Sequence, residues 1–186
     1  MFKSDPWVKN GMLYGQNFHH LRSSMGLDEV FLDTIFPANK YSISYSGYLA
    51  DDAAAGGKKV DIDNITWVRA KDFYKKPKLV VDGGNRNDVN QGTLGNCWFL
   101  SAMVGMFEIP SLFDWVVPKD QGFGDDYRGI FYFRFWQYGE WVEVVVDDFI
   151  PIMKNKPVFV YSDDEGEMWP CLTCSHDLKM LETGDG

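Results

Sequence analysis

Three stretches of apolar residues set the expected architecture of this chain. Residues 98–107, "WFLSAMVGMF", are apolar on nearly every side, which predicts a helix in the middle of a domain. Residues 129–151 contain two runs rich in aromatic and β-branched side chains around "QYGE", the pattern of a β-hairpin. Residues 157–162, "PVFVYS", predict a third strand that continues the meander. A buried helix followed by a small antiparallel sheet predicts an α+β fold.

Shorter segments before this core are less regular. Residues 28–37, "DEVFLDTIFP", place apolar side chains at helical spacing between an aspartate and a proline, which predicts a short amphipathic helix. Residues 51–59, "DDAAAGGKK", predict a surface loop. Residues 65–73, "ITWVRAKDF", predict an extended piece that leads into another short element. Residues 1–27 show no sustained period, so we expect a loose or partly ordered leader there.

Composition narrows the class of protein. A hydrophobic content of 45% over 186 residues is enough to build a core, whereas a net charge of −9 argues against a nucleic-acid or anionic-membrane surface. No apolar stretch approaches the roughly 20 residues that span a bilayer, and the first residues lack the apolar region of a signal peptide. Three cysteines without a disulfide-framework pattern fit a reducing compartment. Together these features predict a cytoplasmic protein.

The segment "QGTLGNCWFL", residues 91–100, is the candidate for chemistry, because Cys97 lies at the predicted start of the apolar helix. Asn96 can cap this helix, and Pro110 stops it soon after its end. A free cysteine most often packs in a core. In the first turn of a helix, however, unpaired backbone N–H groups and the helix dipole favour the thiolate, which is the nucleophile.

Acyl transfer also requires hydrogen-bond donors directed at the developing oxyanion. A backbone N–H at the helix start and the amide of Gln91 can supply them together. Gly92 and Gly95 allow the intervening loop to turn sharply and to approach a substrate closely.

This segment resembles the active-site segment of calpains, the calcium-dependent cysteine endopeptidases. The resemblance covers about residues 28–169, because further motifs occur in the order and spacing of the first half of the calpain protease core. They are "FLDTIFP" (31–37), "ITWVRAKDF" (65–73), "VVDGGNRNDVNQG" (80–92), "YRGIFYFRFWQYGEWVEVVVDDFIPI" (127–152) and "VFVYSDDEGEMW" (158–169). The resemblance implies a papain-like half-core, with a catalytic subdomain at 28–169 between the leader and a divergent tail at 170–186.

The resemblance also implies roles for individual residues. Cys97 matches the nucleophile, and Gln91 matches the oxyanion-hole donor. The family's Ca²⁺ site in this subdomain matches the backbone carbonyls of Val81 and Gly83 and the carboxylates of Asp88 and Glu167. Two carbonyls, two carboxylates and water can reach the six to eight oxygen ligands that calcium prefers. Without the resemblance, the two acidic residues would be interpreted as solvated loop charges.

The expected base of a cysteine protease has no matching motif in these 186 residues. Calpains carry the histidine and asparagine in the second half of their core, and neither the Gly-His-Ala-Tyr type nor the Asn-Pro-Trp-Gly type segment occurs here. In the tail, which we predict to be unstructured, Cys171, Cys174 and His176 have a C-x-x-C-x-H spacing that could form part of a zinc site, but a fourth ligand is missing.

Two hypotheses follow from the sequence. In the first, the chain is the nucleophile-bearing half of a calcium-dependent cysteine endopeptidase that acts on proteins, and the isolated chain is inactive because the base and its orienting group are absent. In the second, it is a non-catalytic module that binds calcium or a partner, such as the second protease subdomain or another calpain chain.

Overall fold

A computed structural model describes residues 6–43, 62–80 and 97–158 of the chain; for residues 97, 98 and 100 only the backbone is described. The chain divides into two compact units. The first unit comprises Met1–Thr34 and Ile109–Asp147, and the second comprises Ile35–Glu108 and Asp148–Gly186. Both units contain helices and small sheets, so the predicted α+β class is confirmed. The predicted bounds of leader, catalytic subdomain and tail stay a prediction.

The described strands are β1 (Val8–Lys9), β2 (Met12–Leu13), β3 (Thr66–Arg69), β4 (Ile130–Gln137), β5 (Glu140–Asp147), β6 (Phe149–Met153) and β7 (Lys156–Pro157). The described α-helices are α1 (Phe18–Ser24), α2 (Ala70–Phe73), α3 (Cys97–Phe107) and α4 (Pro110–Val116), and two 3-10 turns span Lys40–Ser42 and Ile62–Asn64. Within this part of the chain, no helix is long and apolar enough to cross a membrane.

The predicted hairpin is confirmed as β4 and β5, which pair antiparallel from Ile130–Asp147 to Gln137–Glu140. The two residues of its turn, Tyr138 and Gly139, both have positive φ, at 47° and 91°. This is the conformation of a two-residue turn that matches the twist of the strands. The sheet of the first unit has the order β1-β2-β5-β4, in which only the β2–β5 contact is parallel.

The β4–β5 hairpin does not continue into a meander within one sheet, because the chain changes sheet after β5. Of the third strand predicted at residues 157–162, only residues 157 and 158 are described, and the rest lies outside the described residues. Strand β6 pairs antiparallel with β3 and with β7, which gives the second unit a sheet of order β3-β6-β7. A single residue, Asp148, separates β5 from β6, and it is buried with 3% of its surface exposed. Its backbone carbonyl accepts a hydrogen bond from Ala70 N–H at 2.9 Å, so the backbone there is engaged with the second unit's sheet region rather than with β4.

Residues 8–24 of the predicted leader contain two short strands and a helix, which the sequence pattern did not predict. Strands β1 and β2 form a hairpin around Asn10 and Gly11, whose φ values are 53° and 71°. Helix α1 follows, and the side chain of Asn17 caps it by accepting a hydrogen bond from His20 N–H at 2.9 Å. Phe18 at the start of α1 is only 1% exposed.

The core of the first unit lies on both faces of the β4–β5 hairpin. On one face, Phe18 packs with Ile130, Tyr132 and Val145. Since alternate residues of a strand point to opposite faces, the neighbouring positions Val142 and Val144 form the other face, where they pack with Leu13 and its half-buried neighbours. Side chains on both faces of the hairpin are therefore buried, which accounts for its nearly continuous run of apolar residues.

The helix predicted over residues 28–37 does not form. Its backbone groups are engaged by distant parts of the chain instead: Phe31 N–H donates to the carbonyl of Arg128 at 2.8 Å, and Asp33 N–H donates to the Asp147 carboxylate at 3.0 Å. Leu32, within this segment, is 58% exposed. Tertiary hydrogen bonds to the first unit's sheet region thus replace the i to i−4 bonds of the predicted helix.

Helix α3 forms where the sequence predicts it, within one residue of the predicted start. Phe99 and Met103, four positions apart, are 6% and 4% exposed and lie on one stripe of the helix. Ala102 and Gly105 are exposed. Pro110 ends the run as predicted, and it also occupies the first turn of α4, a second helix that the pattern did not predict.

Candidate functional site

The candidate nucleophile, Cys97, is the first residue of α3. The eleven residues of this helix make it long enough for an appreciable dipole, and its first backbone N–H groups have no partner within the helix. The first turn contains no acidic residue that would compete for those N–H groups or repel an anion. The described backbone therefore has the arrangement that favours a thiolate at this position.

The buried stripe of α3 fixes how the helix is held. Phe99 lies two residues after Cys97 and is almost fully buried, and Met103 continues the contact one turn later. Because the first buried residue comes so soon after the helix start, the first turn is anchored by packing. An anchored first turn keeps the N–H groups around Cys97 in a fixed orientation, which is what a preorganised oxyanion site requires.

The other predicted site residues lie outside the described residues. These are Gln91 of the oxyanion site, the calcium ligands Val81, Gly83, Asp88 and Glu167, and the tail residues Cys171, Cys174 and His176. Their roles stay predictions. Among the described residues, no group of three or more histidine, cysteine, aspartate or glutamate side chains is arranged to hold a metal ion.

The second unit contains a buried ion pair that the sequence analysis missed. Arg69 Nη1 lies 2.5 Å from Asp148 Oδ1, and the two side chains are 17% and 0% exposed. The Arg69 guanidinium also lies 4.4 Å from the ring centre of Phe149. The pair connects the end of β3 to the start of β6, next to the Ala70–Asp148 backbone bond. The sequence feature that could have indicated this ion pair is Asp147-Asp148 between two apolar strands, because a buried charge requires an oppositely charged or hydrogen-bonding partner.

The first unit contains a polar network around Tyr132. Its hydroxyl donates a hydrogen bond to Asp120 Oδ1 at 2.9 Å, and burial together with this carboxylate raises the pKa of Tyr132 to about 12. The Arg22 guanidinium bonds the Asp126 carboxylate and holds the pKa of that carboxyl below its usual value. Since Arg22 also donates to the carbonyl of Asp120 at 3.3 Å, the network ties α1 to the loop before β4.

Comparison with known proteins gives one consistent result. Residues 31–176 match the family described as calpain family cysteine protease. The chain is 38% identical over 166 residues to calpain-8 of Rattus norvegicus, a match that covers 88% of this chain and 23% of the relative. It is 37% identical over 166 residues to the calpain-1 catalytic subunit of Homo sapiens, covering 88% and 22%, and 36% identical over 152 residues to calpain-A of Drosophila melanogaster, covering 82% and 17%.

The chain thus spans between 17% and 23% of the length of these relatives. The matched region includes the segment around Cys97, the β4–β5 hairpin and the Arg69–Asp148 pair, whereas β1, β2 and α1 precede it. The family match ends at residue 176, inside the predicted tail. This chain belongs to the calpain family of cysteine proteases.

Proposed function

We propose that this chain supplies the nucleophile-bearing part of a calcium-dependent cysteine endopeptidase that cleaves proteins at limited sites. The observation that carries the proposal is the position of Cys97 as the first residue of α3 in a chain of the calpain family. A cysteine in the first turn of an anchored helix has both an activated sulfur and nearby N–H donors. A cysteine in the middle of the same helix would have neither.

In the proposed reaction, the Cys97 thiolate attacks the carbonyl carbon of a peptide bond and forms a tetrahedral intermediate. A backbone N–H at the start of α3 and the side-chain amide of Gln91 donate hydrogen bonds to the oxyanion. The intermediate collapses to an acyl-enzyme when the amine leaves with a proton. That proton comes from a histidine, which an asparagine orients, and both belong to the second half of the calpain core.

We propose Ca²⁺ as the cofactor, and the donor set fits it by its chemistry. The two carbonyls of Val81 and Gly83 and the carboxylates of Asp88 and Glu167 are all hard oxygen ligands. Bound calcium would supply a positive charge that holds the ligands of the segment before α3 in place. Within the chain itself, Asp88 precedes Gln91 by three residues, so ordering one of them orders the other.

A second candidate function is a non-catalytic module that binds calcium or a calpain partner. It is supported by the sequence observation that the 186 residues contain no segment like the family's histidine or asparagine motifs. A chain of only these residues would bind a substrate-like group near Cys97 without turning it over. The partner with the best chemical reason to bind is the second protease subdomain, because it carries the missing base.

A complementation assay distinguishes the two candidates. The chain is mixed with the second half of the protease core of a relative such as the human calpain-1 catalytic subunit, and hydrolysis of a fluorogenic peptide is followed with and without calcium. The first function predicts hydrolysis that requires calcium and disappears in the Cys97→Ala variant. Binding of the two halves without any hydrolysis would favour the non-catalytic module. We propose the cytoplasm as the location, because three cysteines without a disulfide-framework pattern fit a reducing compartment.

A further inference from the structure

Alternate residues of β4 direct their main-chain N–H and C=O groups to the outer edge of the strand, the side that faces away from β5. The hairpin has a two-residue turn, so Gln137 and Glu140 form a hydrogen-bonded pair, and every second residue of β4 from Gln137 directs its N–H and C=O toward β5. The intervening residues direct theirs outward. They are Ile130, Tyr132, Arg134 and Trp136.

Hydrogen bonds at two positions verify this alternation. Glu143 is opposite Arg134 in the register, and its N–H donates away from β4, to the carbonyl of Gly11 at 2.8 Å. At Tyr132 the outward groups are taken by the side chain of Gln121, whose Nε2 donates to the Tyr132 carbonyl at 2.8 Å and whose Oε1 accepts from Tyr132 N–H at 2.7 Å. The Gln121 amide therefore bonds Tyr132 as the backbone of an added strand would.

The next two outward positions have no such cover in the described part of the chain. No hydrogen bond there involves the outward main-chain groups of Arg134 or Trp136, and Trp136 is 60% exposed. An exposed strand edge with open donors and acceptors pairs readily with another extended chain. Because Gln121 closes the edge at Tyr132 and the turn begins at Tyr138, the open edge is limited to Arg134–Trp136.

The side chains at this open edge indicate which types of residue a bound peptide should have. Arg134 and Trp136 lie on the same face of the sheet. The Arg134 guanidinium lies 4.2 Å from the ring centre of Trp115 and donates one hydrogen bond, at 3.1 Å, to the Trp115 carbonyl. A guanidinium has five N–H donors, so several of them can still donate hydrogen bonds to a carboxylate. Trp136 stacks edge-on against Trp141 at 5.3 Å and presents an apolar surface.

We propose that the open edge of β4 at Arg134–Trp136 binds an extended peptide of a partner protein by β-strand addition. In the antiparallel orientation, the peptide places an apolar residue opposite Trp136 and, two positions later, an acidic residue opposite Arg134. The peptide is close to neutral overall, because the chain has a net charge of −9 and repels further acidic residues. The same repulsion opposes pairing of two copies of this edge. The proposal goes beyond the proposed protease function and does not depend on it.

The test uses the ¹⁵N-labelled 186-residue chain and the capped peptide acetyl-Thr-Phe-Thr-Glu-Thr-amide, with binding followed by amide chemical shifts. The amides of Arg134 and Trp136 are expected to shift in a saturable way, and those of Phe133 and Phe135, which point toward β5, are expected to shift less. Methylating the backbone nitrogen of the peptide's glutamate removes the donor to the Arg134 carbonyl and should weaken binding at least about tenfold, because it also places a methyl group against the edge.

Matched peptides and one variant separate strand addition from other modes of binding. Methylating the nitrogen of the central threonine, which points away from the sheet, should leave binding within about twofold, and glutamate-to-lysine replacement should weaken it about tenfold. Gln121→Ala opens the edge at Tyr132 and should tighten binding of a peptide lengthened by two residues after the glutamate. Equal binding by the two methylated peptides overturns the proposal. So does the absence of shifts at millimolar peptide, or shifts that follow protein concentration alone and thereby identify a second copy as the occupant.

Discussion

Replacement of Phe18 by alanine should destabilise the protein by several kcal/mol, although this residue lies in a segment without sequence periodicity. Phe18 is 1% exposed, and its ring stacks on that of Tyr132 at 4.3 Å and 24°. A buried phenylalanine removes about 200 Å² from water, which at about 25 cal/mol per Å² corresponds to roughly 5 kcal/mol. Alanine keeps a small part of this, so we expect a loss of about 3–5 kcal/mol in the free energy of unfolding.

Urea unfolding of the whole chain, followed by far-UV circular dichroism, measures this loss as a shift of the first unit's transition. Phe18→Leu retains most of the apolar surface and should cost about 1–2 kcal/mol. His20→Ala is the matched control on the same helix, because His20 is exposed and its side chain has no part in the cap. It should change stability by less than about 0.5 kcal/mol. A loss below about 1 kcal/mol for Phe18→Ala would refute the placement of α1 in the core.

Four further predictions concern the second unit, the hairpin, the tyrosine and calcium. Asp148→Asn leaves Arg69 without its buried counter-charge and should cost about 3–5 kcal/mol in urea unfolding. Gly139→Ala introduces a Cβ at φ 91° and should cost about 1–2 kcal/mol in the same assay. The pKa of Tyr132 is raised to about 12 in the folded state, so the folded chain keeps a proton that the unfolded chain loses near pH 10. The contribution of Tyr132 to stability therefore falls as the pH rises from 10 to 12, and NMR shifts of its ring measure the titration. Asp88→Ala should abolish most of the calcium-induced rise in melting temperature, as measured by scanning calorimetry.

Each of these expectations has a clear contrary result. Unchanged stability in the Asp148 variant would mean that the Arg69 guanidinium becomes hydrated without a cost in the free energy of unfolding. An unaffected Gly139 variant would mean that the turn adopts another conformation. Titration of Tyr132 near pH 10 would contradict its burial beside Asp120. A full calcium response in the Asp88 variant would remove that carboxylate from the ligand set.

Local pattern predicted the elements that local chemistry determines. The β4–β5 hairpin combines β-branched and aromatic strands with a Tyr138–Gly139 turn, and its conformation depends on neighbouring residues. The first hairpin has an even stronger turn signal in Asn10–Gly11, but its two-residue strands are too short to show alternation. Its parallel contact with β5 joins Met12 to Glu143, a pairing that no local pattern can predict.

The helix predicted at residues 28–37 failed for the same reason. Its apolar spacing suits a helix, but the N–H groups of Phe31 and Asp33 bond to partners about one hundred residues away. Tertiary hydrogen bonds override a helical pattern of this length, since a short helix is marginal by itself. The change of sheet at Asp148 likewise depends on Arg69, which is distant in sequence.

The candidate site was predictable in one respect from elementary chemistry. An apolar run with a cysteine at its beginning predicts a helix whose first turn holds that cysteine, and α3 does begin at Cys97. The oxyanion and calcium roles of Gln91 and Asp88 depend on the geometry of a loop, and neither composition nor periodicity determines such geometry. The predicted roles of Gln91 and Asp88 therefore rest on the resemblance to calpains, and measurements in solution test them.

The role of Cys97 as the nucleophile is tested most directly by site-resolved labelling with a peptidyl epoxide, a substrate-like electrophile that reacts with activated thiolates. The intact chain is treated at neutral pH with and without calcium, and each cysteine-containing peptide is quantified by mass spectrometry. We expect Cys97 to be modified at least about tenfold faster than Cys171 or Cys174, calcium to increase this rate, and Gln91→Ala to decrease it. Equal labelling of the three cysteines, or a Cys97 that reacts only after unfolding, would contradict the assignment of Cys97 as the nucleophile.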